Sequence, residues 1–282
     1  MLSVVNTVRD LRAALLAWRE AGDTVGFVPT MGALHRGHIA LVEQARKATK
    51  RVVASIFVNP LQFGPQEDLA KYPRQLEADR KMLADAGCDL LFTPTPEEMY
   101  PNGAVTKIDP GPLTGMLEGA FRPGHFTGVA TVVVKLLLQV MPDAAFFGEK
   151  DYQQLLVIRR IVQDLNIPVH IVGVPTVRDT DGLALSSRNA YLSPEDRQRA
   201  GALPRVMQET IAHILEGADI EKTLKAGQEK LRQAGFSSVD YLELADATGL
   251  SPLRAMNTPA RLLAAARMGS TRLIDNMAVD RP

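Results

Sequence analysis

Residues 26–38 read Gly26-Phe27-Val28-Pro29-Thr30-Met31-Gly32-Ala33-Leu34-His35-Arg36-Gly37-His38. An apolar strand runs through a glycine turn into two histidines, where an amphipathic helix opens. Gly32 and Gly37 let backbone approach a ligand closely, while the head of a helix offers unpaired N–H groups and the positive end of its dipole. Imidazole donors placed there meet phosphates directly, so the segment reads as a nucleotide phosphate site. A plain strand-turn-helix with two surface histidines is the competing reading. The ordered run of strand, both glycines, both histidines and helix favours phosphate.

Working outward, residues 24–28 and 52–58 read as buried strands with a helix over 38–50 between them, a βαβ unit. The alternation continues through helix 74–86, strand 90–93, helix 127–140, strand 144–147, helix 150–165 and strand 169–174. The expected fold class is α/β, with a Rossmann-like parallel sheet and helices on both faces over residues 1–176. Such a sheet binds ligands beyond the carboxyl ends of its strands. Residues 94–124, rich in Gly and Pro, read as loops over the site. After about residue 176 the pattern changes: helices at 194–215 and 220–233, the first opened by Ser193-Pro194-Glu195-Asp196, precede strands at 239–244, 261–267 and 271–275. Residues 177–282 are expected to form a smaller C-terminal α+β lid domain.

Composition narrows the function. Among 282 residues, 32 Lys plus Arg balance 32 Asp plus Glu, so no global field recruits nucleic acid or an anionic membrane. A single cysteine, Cys88, excludes an intramolecular disulfide and suits a reducing cytoplasm. The opening residues lack a leader pattern and no stretch is long and uncharged enough to span a bilayer, so a cytoplasmic protein is expected. Neither Gly-x-x-x-x-Gly-Lys-Ser/Thr, Gly-x-Gly-x-x-Gly nor a Gly-x-Ser-x-Gly elbow occurs, which removes the P-loop, dinucleotide dehydrogenase and serine hydrolase readings. His35 and His38 supply only two metal ligands, and His125, His170 and His213 are far apart, so structural zinc is not expected.

Three further segments carry chemistry. In Asn59-Pro60-Leu61-Gln62-Phe63 the amides can read hydroxyl and carboxylate groups without adding charge, with Met31, Leu61 and Phe63 as an apolar wall. A polar loop is the alternative. In Phe147-Gly148-Glu149-Lys150-Asp151-Tyr152-Gln153-Gln154 a strand crosses into a helix, and a lysine in a first turn sits at the wrong dipole end unless an anion is near. Gln154 is expected on the same face, and a solvated Lys150 beside two acids is the alternative. In Val177-Arg178-Asp179-Thr180-Asp181-Gly182-Leu183-Ala184-Leu185-Ser186-Ser187-Arg188-Asn189, an Asp-Gly turn precedes two hydroxyls and a guanidinium suited to phosphate oxygens. It reads as a mobile phosphate clamp, or as a hinge loop with no ligand.

With these segments in order, the chain resembles the pantothenate synthetase family of the nucleotidyltransferase superfamily, whose histidine motif is shared with class I aminoacyl-tRNA synthetases. The resemblance runs from about residue 7 to the C-terminus through all four quoted segments. It implies an ATP-dependent, AMP-forming ligase that joins pantoate to β-alanine through a pantoyl adenylate, with release of pyrophosphate. It implies ATP contacts at Met31, Gly32, Ala33, Leu34, His35, Arg36, Gly37, His38, Gly148, Glu149, Lys150, Asp151, Val177, Leu185, Ser186, Ser187 and Arg188. His38, the family's active-site acid, together with His35, Lys150 and Arg188 would be catalytic. Gln62 and Gln154 would bind pantoate, with Met31 and Phe63 against its methyl groups. Magnesium is expected on the phosphates, with Asp79 a candidate ligand or outer-shell partner, and a homodimer is implied. Two departures stand out: Leu185 replaces a common methionine, and Ala78 leaves Asp79 without an adjacent acid. A nucleotidyltransferase acting on a phosphorylated acceptor would use the same histidine turn with a basic pocket in place of Gln62 and Gln154. A non-catalytic nucleotide-binding module and a tRNA-binding relative are the other readings, and zero net charge argues against the last.

Overall fold

β1 (Ser3–Val5), β2 (Val25–Thr30), β3 (Arg51–Ile56), β4 (Leu90–Phe92), β5 (Ala144–Gly148) and β6 (His170–Val174) form one parallel sheet in the order β1-β4-β3-β2-β5-β6. The computed structural model describes residues 2–64, 67 and 69–279. Between the strands run α1 (Val8–Glu20), α2 (Arg36–Ala48), α3 (Leu76–Asp85), the single turns α4 (Pro96–Met99) and α5 (Glu118–Phe121), then α6 (His125–Val140) and α7 (Tyr152–Asp164). Alternate residues of the central strands face opposite layers. Phe27, Val53 and Phe92 pack with Leu11 and Leu15 of α1 and Val133 and Leu137 of α6, whereas Val28, Ala54, Leu91 and Phe146 pack with Val42 and Ala45 of α2 and Leu83 of α3. Helices on both faces explain why these strands read as unbroken apolar runs. Cys88 is buried in the second of these layers, where loss of water pushes its thiol up to about 12.

β2 is the strand at which chain order reverses, since β3 lies on one side and β5 on the other. Its pairing with β3 runs all the way to Thr30, but its pairing with β5 covers only Gly26 and Phe27. Alternation along the strand explains the difference. Thr30 turns its carbonyl to the β3 side, where it accepts from the Phe57 N–H, so Pro29 faces β5. Proline has no N–H to donate, so the ladder to β5 stops short of the strand end.

The second unit contains α8 (Pro194–Ala200), α9 (Ala202–Leu215), α10 (Ile220–Gln233) and an antiparallel sheet of β7 (Ser238–Asp246), β8 (Ala260–Met268) and β9 (Thr271–Val279). Leu203, Val206 and Met207 of α9 and Leu224 and Leu231 of α10 pack on Leu242, Leu262 and Leu273 of that sheet. The expected single helix over 194–215 is two helices. Pro204 leaves the Ala200 carbonyl without a helical donor, which breaks the ladder around Gly201.

The two units are Met1–Gly115, Arg122–Glu149 and Gln154–Pro175 for the first, and Met116–Phe121, Lys150–Gln153 and Thr176–Pro282 for the second. Against the expected division at 176/177, two short segments join the C-terminal part. Hydrogen bonding accounts for them: Arg272 pairs with Glu118, Gln153 accepts from the Glu118 N–H, and Asn276 donates to the Lys150 carbonyl. Among the described residues no helix is long and apolar enough to cross a membrane.

Candidate active site

The helix expected from His38 begins two residues earlier, because His35 is its N-cap. Imidazole is not one of the usual capping groups. Here Nδ1 of His35 accepts from the Gly37 N–H at 3.1 Å, and Nδ1 of His38 accepts from the His35 N–H at 3.3 Å. This is a capping box built from two histidines. A ring nitrogen that accepts a hydrogen bond carries no proton, so each neutral ring keeps its proton on Nε2. The rings lie 4.1 Å apart, tilted by 46°. The pair therefore presents two fixed N–H donors at a helix head beside the sheet's switch point.

Gln62 closes a short turn, Pro60–Gln62, that follows β3. Its amide orientation is dictated by groups that cannot flip. The Leu61 N–H donates to Asn59 Oδ1 and the Gly128 carbonyl accepts from Asn59 Nδ2, so the second Nδ2 hydrogen reaches Gln62 Oε1 at 3.1 Å. Gln62 Nε2 is thereby turned to Met31, lying 2.9 Å from its sulfur, a weak acceptor. The turn is held from behind as well. Arg122 pairs with both Glu67 oxygens at 2.7 and 2.6 Å and donates to His125 Nε2 at 3.1 Å, which leaves His125 Nδ1 to donate to the Gln62 carbonyl at 2.9 Å. Burial alone would raise the Glu67 carboxyl, but the hydrogen bond and charge of Arg122 hold it below its ordinary value. Phe63 stacks edge-on against Tyr72 at 5.8 Å.

The first unit thus brings Met31, Gly32, Ala33, Leu34, His35, Arg36, Gly37 and His38 to the end of β2, with Gly148 and Glu149 at the end of neighbouring β5 and Gln154 in the first turn of α7. Asp79, the candidate magnesium ligand, is 1% exposed. Its Oδ2 accepts from the Ala33 N–H at 2.9 Å and its Oδ1 from the Leu34 N–H at 2.8 Å and Gln75 Nε2 at 3.3 Å. No group of three His, Cys, Asp or Glu side chains that could hold a metal ion gathers among the described residues. These side chains do not fit a protein-ligated magnesium.

The second unit carries the other part of the expected set. Lys150 lies in the turn Glu149–Asp151 rather than in the first turn of the helix, which starts at Tyr152, and its ammonium is 3.3 Å from Asp151 Oδ1. The Val177–Leu185 stretch is a tight hairpin: the Leu185 N–H donates to the Val177 carbonyl, and Gly182 takes φ of +85° at its tip. Within its unit this hairpin is pinned on two sides. Arg178 forks onto buried Asp275 at 2.7 and 2.9 Å, and Arg197 bridges Asp179 and Asp181, keeping the Asp181 carboxyl below its usual range. Ser186 then caps the turn Ser187–Tyr191 by accepting from the Arg188 N–H. Asn276, next to Asp275 on β9, donates to the Lys150 carbonyl at 2.9 Å and accepts from Arg261. One strand therefore anchors both Lys150 and the hairpin that leads to Ser186, Ser187 and Arg188.

Sequence reasoning passed over Glu67, Arg122, Gly128, Asp275 and Asn276, and set His125 aside. A readable signal existed for the last two of β9, an acid and an amide in a strand otherwise suited to burial. Gly128 was equally visible as the sole glycine inside an apolar helix.

A sequence model of the pantoate-beta-alanine ligase family matches residues 3–278. The chain is 56% identical over 279 residues to a pantothenate synthetase of Rhizorhabdus wittichii, covering 99% of each. It is 54% identical over 279 residues to the pantothenate synthetase of Thermus thermophilus, again covering 99% of each. A crystal structure of pantothenate synthetase from Thermus thermophilus superposes with a TM-score of 0.93 at 55% identity, over 99% of this chain and 100% of that one. A pantoate-beta-alanine ligase from Francisella tularensis, complexed with beta-gamma ATP and beta-alanine, superposes with a TM-score of 0.84 at 34% identity, covering 100% of this chain and 99% of that one.

Proposed function

The chain belongs to the pantoate-beta-alanine ligase family and is an ATP-dependent ligase of pantoate and β-alanine, and on that premise we propose how its own residues divide the reaction. The pantoate carboxylate attacks the α-phosphorus of ATP, forming a C–O–P linkage as the bond to pyrophosphate breaks. The β-alanine amine then attacks the acyl carbon, losing a proton as the amide forms and AMP departs. Negative charge grows on phosphoryl oxygens in the first step, and donors already in place stabilise it without reorganisation.

The observation that carries this reading is the reciprocal histidine cap. Each Nε2–H is held at a helix head, so His38 and His35 donate to the reacting and departing phosphates. Gln62 Nε2, its amide locked by Asn59, exchanges the Met31 sulfur for an oxygen of pantoate, and Gln154 binds a second oxygen. A neutral amide orients the carboxylate without an ion pair that would blunt its attack. Met31 and Phe63 face the methyl groups. Lys150, Ser186, Ser187 and Arg188 act on the triphosphate, while backbone at Gly148 and Val177, with Glu149, Asp151 and Leu185, holds the nucleoside. Magnesium bound with ATP would neutralise charge on the phosphates, and no side chain of this chain is assigned to hold it. The reading includes a homodimer, as the family resemblance implies, working in the cytoplasm, which suits a chain with one buried cysteine.

Omitting ATP, pantoate and β-alanine in turn tests it: AMP should form at full rate only with all three, and pyrophosphate exchange should require pantoate but not β-alanine. ATP binding with no AMP formed would leave a nucleotide-binding module instead. Within that assay Arg188→Ala should raise the KM for ATP by about tenfold or more, the worth of a charge-assisted hydrogen bond, with the KM for β-alanine unchanged. Equal effects on both would remove Arg188 from the triphosphate.

A further inference from the structure

Gly32 and Ala33 are consecutive residues in the left-handed region, with φ of +83° and +51°. For alanine that conformation is unfavourable and must be held by its surroundings. A left-handed pair turns successive backbone N–H groups to one side, creating a concavity that takes an anion. In this chain the anion is its own. Buried Asp79 from α3 fills the concavity, one oxygen on the Ala33 N–H and the other on the Leu34 N–H. Gly32 contributes space, because a Cβ there would lie 3.1 Å from Asp79 Oδ2.

We propose that Asp79 is a positioning residue for the phosphate-activating step: its carboxylate locks the Gly32–Leu34 turn so that His35 enters the helix in its capping geometry, and it does not ligate magnesium. The first half rests on the role proposed for the histidines; the second stands on the donor set alone. The carboxylate oxygens face inward onto backbone donors, and only one residue, His35, separates Leu34 from the first helical position. A loosened turn would misplace both rings at once, since His38 accepts from the His35 N–H and His35 from the Gly37 N–H beside His38.

Asp79→Asn is the test, because it keeps the shape but sets an NH2 against one of two backbone N–H groups. Three quantities are read on the full chain: the rate of AMP formation, the magnesium concentration giving half-maximal rate, and hydrogen exchange of the peptide spanning 31–38, with strand β3 as internal reference for global stability. Expected are a fall in kcat of about tenfold or more, an unchanged magnesium midpoint, and loss of protection at 31–38 while β3 keeps its own. A magnesium midpoint raised about tenfold or more, with protection at 31–38 intact, would overturn the proposal in favour of a metal ligand. Unchanged protection with an unchanged midpoint would overturn the clamp itself. Lost protection with undiminished AMP formation would overturn the coupling of turn to catalysis; His38→Ala, measured separately, then tells whether the histidine role falls with it.

Discussion

Replacing His38 with alanine should lower pantoate-dependent AMP formation by roughly a hundredfold to a thousandfold, the usual effect of deleting one preorganised donor to a developing oxyanion. The variant loses two things at once. The Nε2–H donor disappears, and so does the acceptor for the His35 N–H, which weakens the helix cap by about 1 kcal/mol. His38→Gln separates them. Glutamine three residues after an N-cap is the common partner in a capping box, so it should restore the melting temperature while leaving activity depressed by about tenfold or more. Near-normal single-turnover adenylation in His38→Ala would contradict the assigned role. Recovery of full activity by glutamine would reduce the ring to a helix cap.

Gly128→Ala should be the most damaging one-methyl change in the chain. α6 crosses the Pro60–Gln62 turn at this glycine, and a Cβ would collide with the Leu61 carbonyl. The added Cβ is fixed by the helix backbone and the atoms it meets are backbone, so neither side can rotate away. Alanine inside a helix ordinarily gains up to about 1 kcal/mol over glycine, whereas forced overpacking costs about 1–3 kcal/mol and occasionally more. The clash should win, lowering the melting temperature by roughly 3–5 °C. The turn that moves carries Gln62, whose amide depends on Asn59 reaching the Gly128 carbonyl. The KM for pantoate should therefore rise by about tenfold or more, with the KM for ATP little changed. A stabilised variant with an unaltered pantoate KM would show that the close approach does not govern the amide.

Much of the architecture was legible because central parallel strands must be apolar on both faces and helices between them on one. The histidine turn, the Asn59–Gln62 turn and the Lys150 segment were visible by residue type, and the structure sets the first two on the same sheet edge. The N-terminal β1 and α1 were passed over, although Thr7 capping the Asp10 N–H is a readable start. The α2 boundary was misplaced since imidazole is an unusual cap. Asp79 shows the deeper limit. An acid near a phosphate motif reads as a metal ligand, and only coordinates reveal that its lone pairs are already engaged by backbone. Arg122 and His125 act through a backbone carbonyl, which leaves no mark in residue type, and Gly128, visible as a glycine, gives no sign of which backbone it admits.

Pro29 ends a ladder by omission. A strand that carried an amide hydrogen at that place could continue zippering to its neighbour, and the ends of β2 and β5 would be knitted together by the protein's own main chain. The vacancy in this sheet is written by one absent proton, ahead of any side chain that will later grip a substrate.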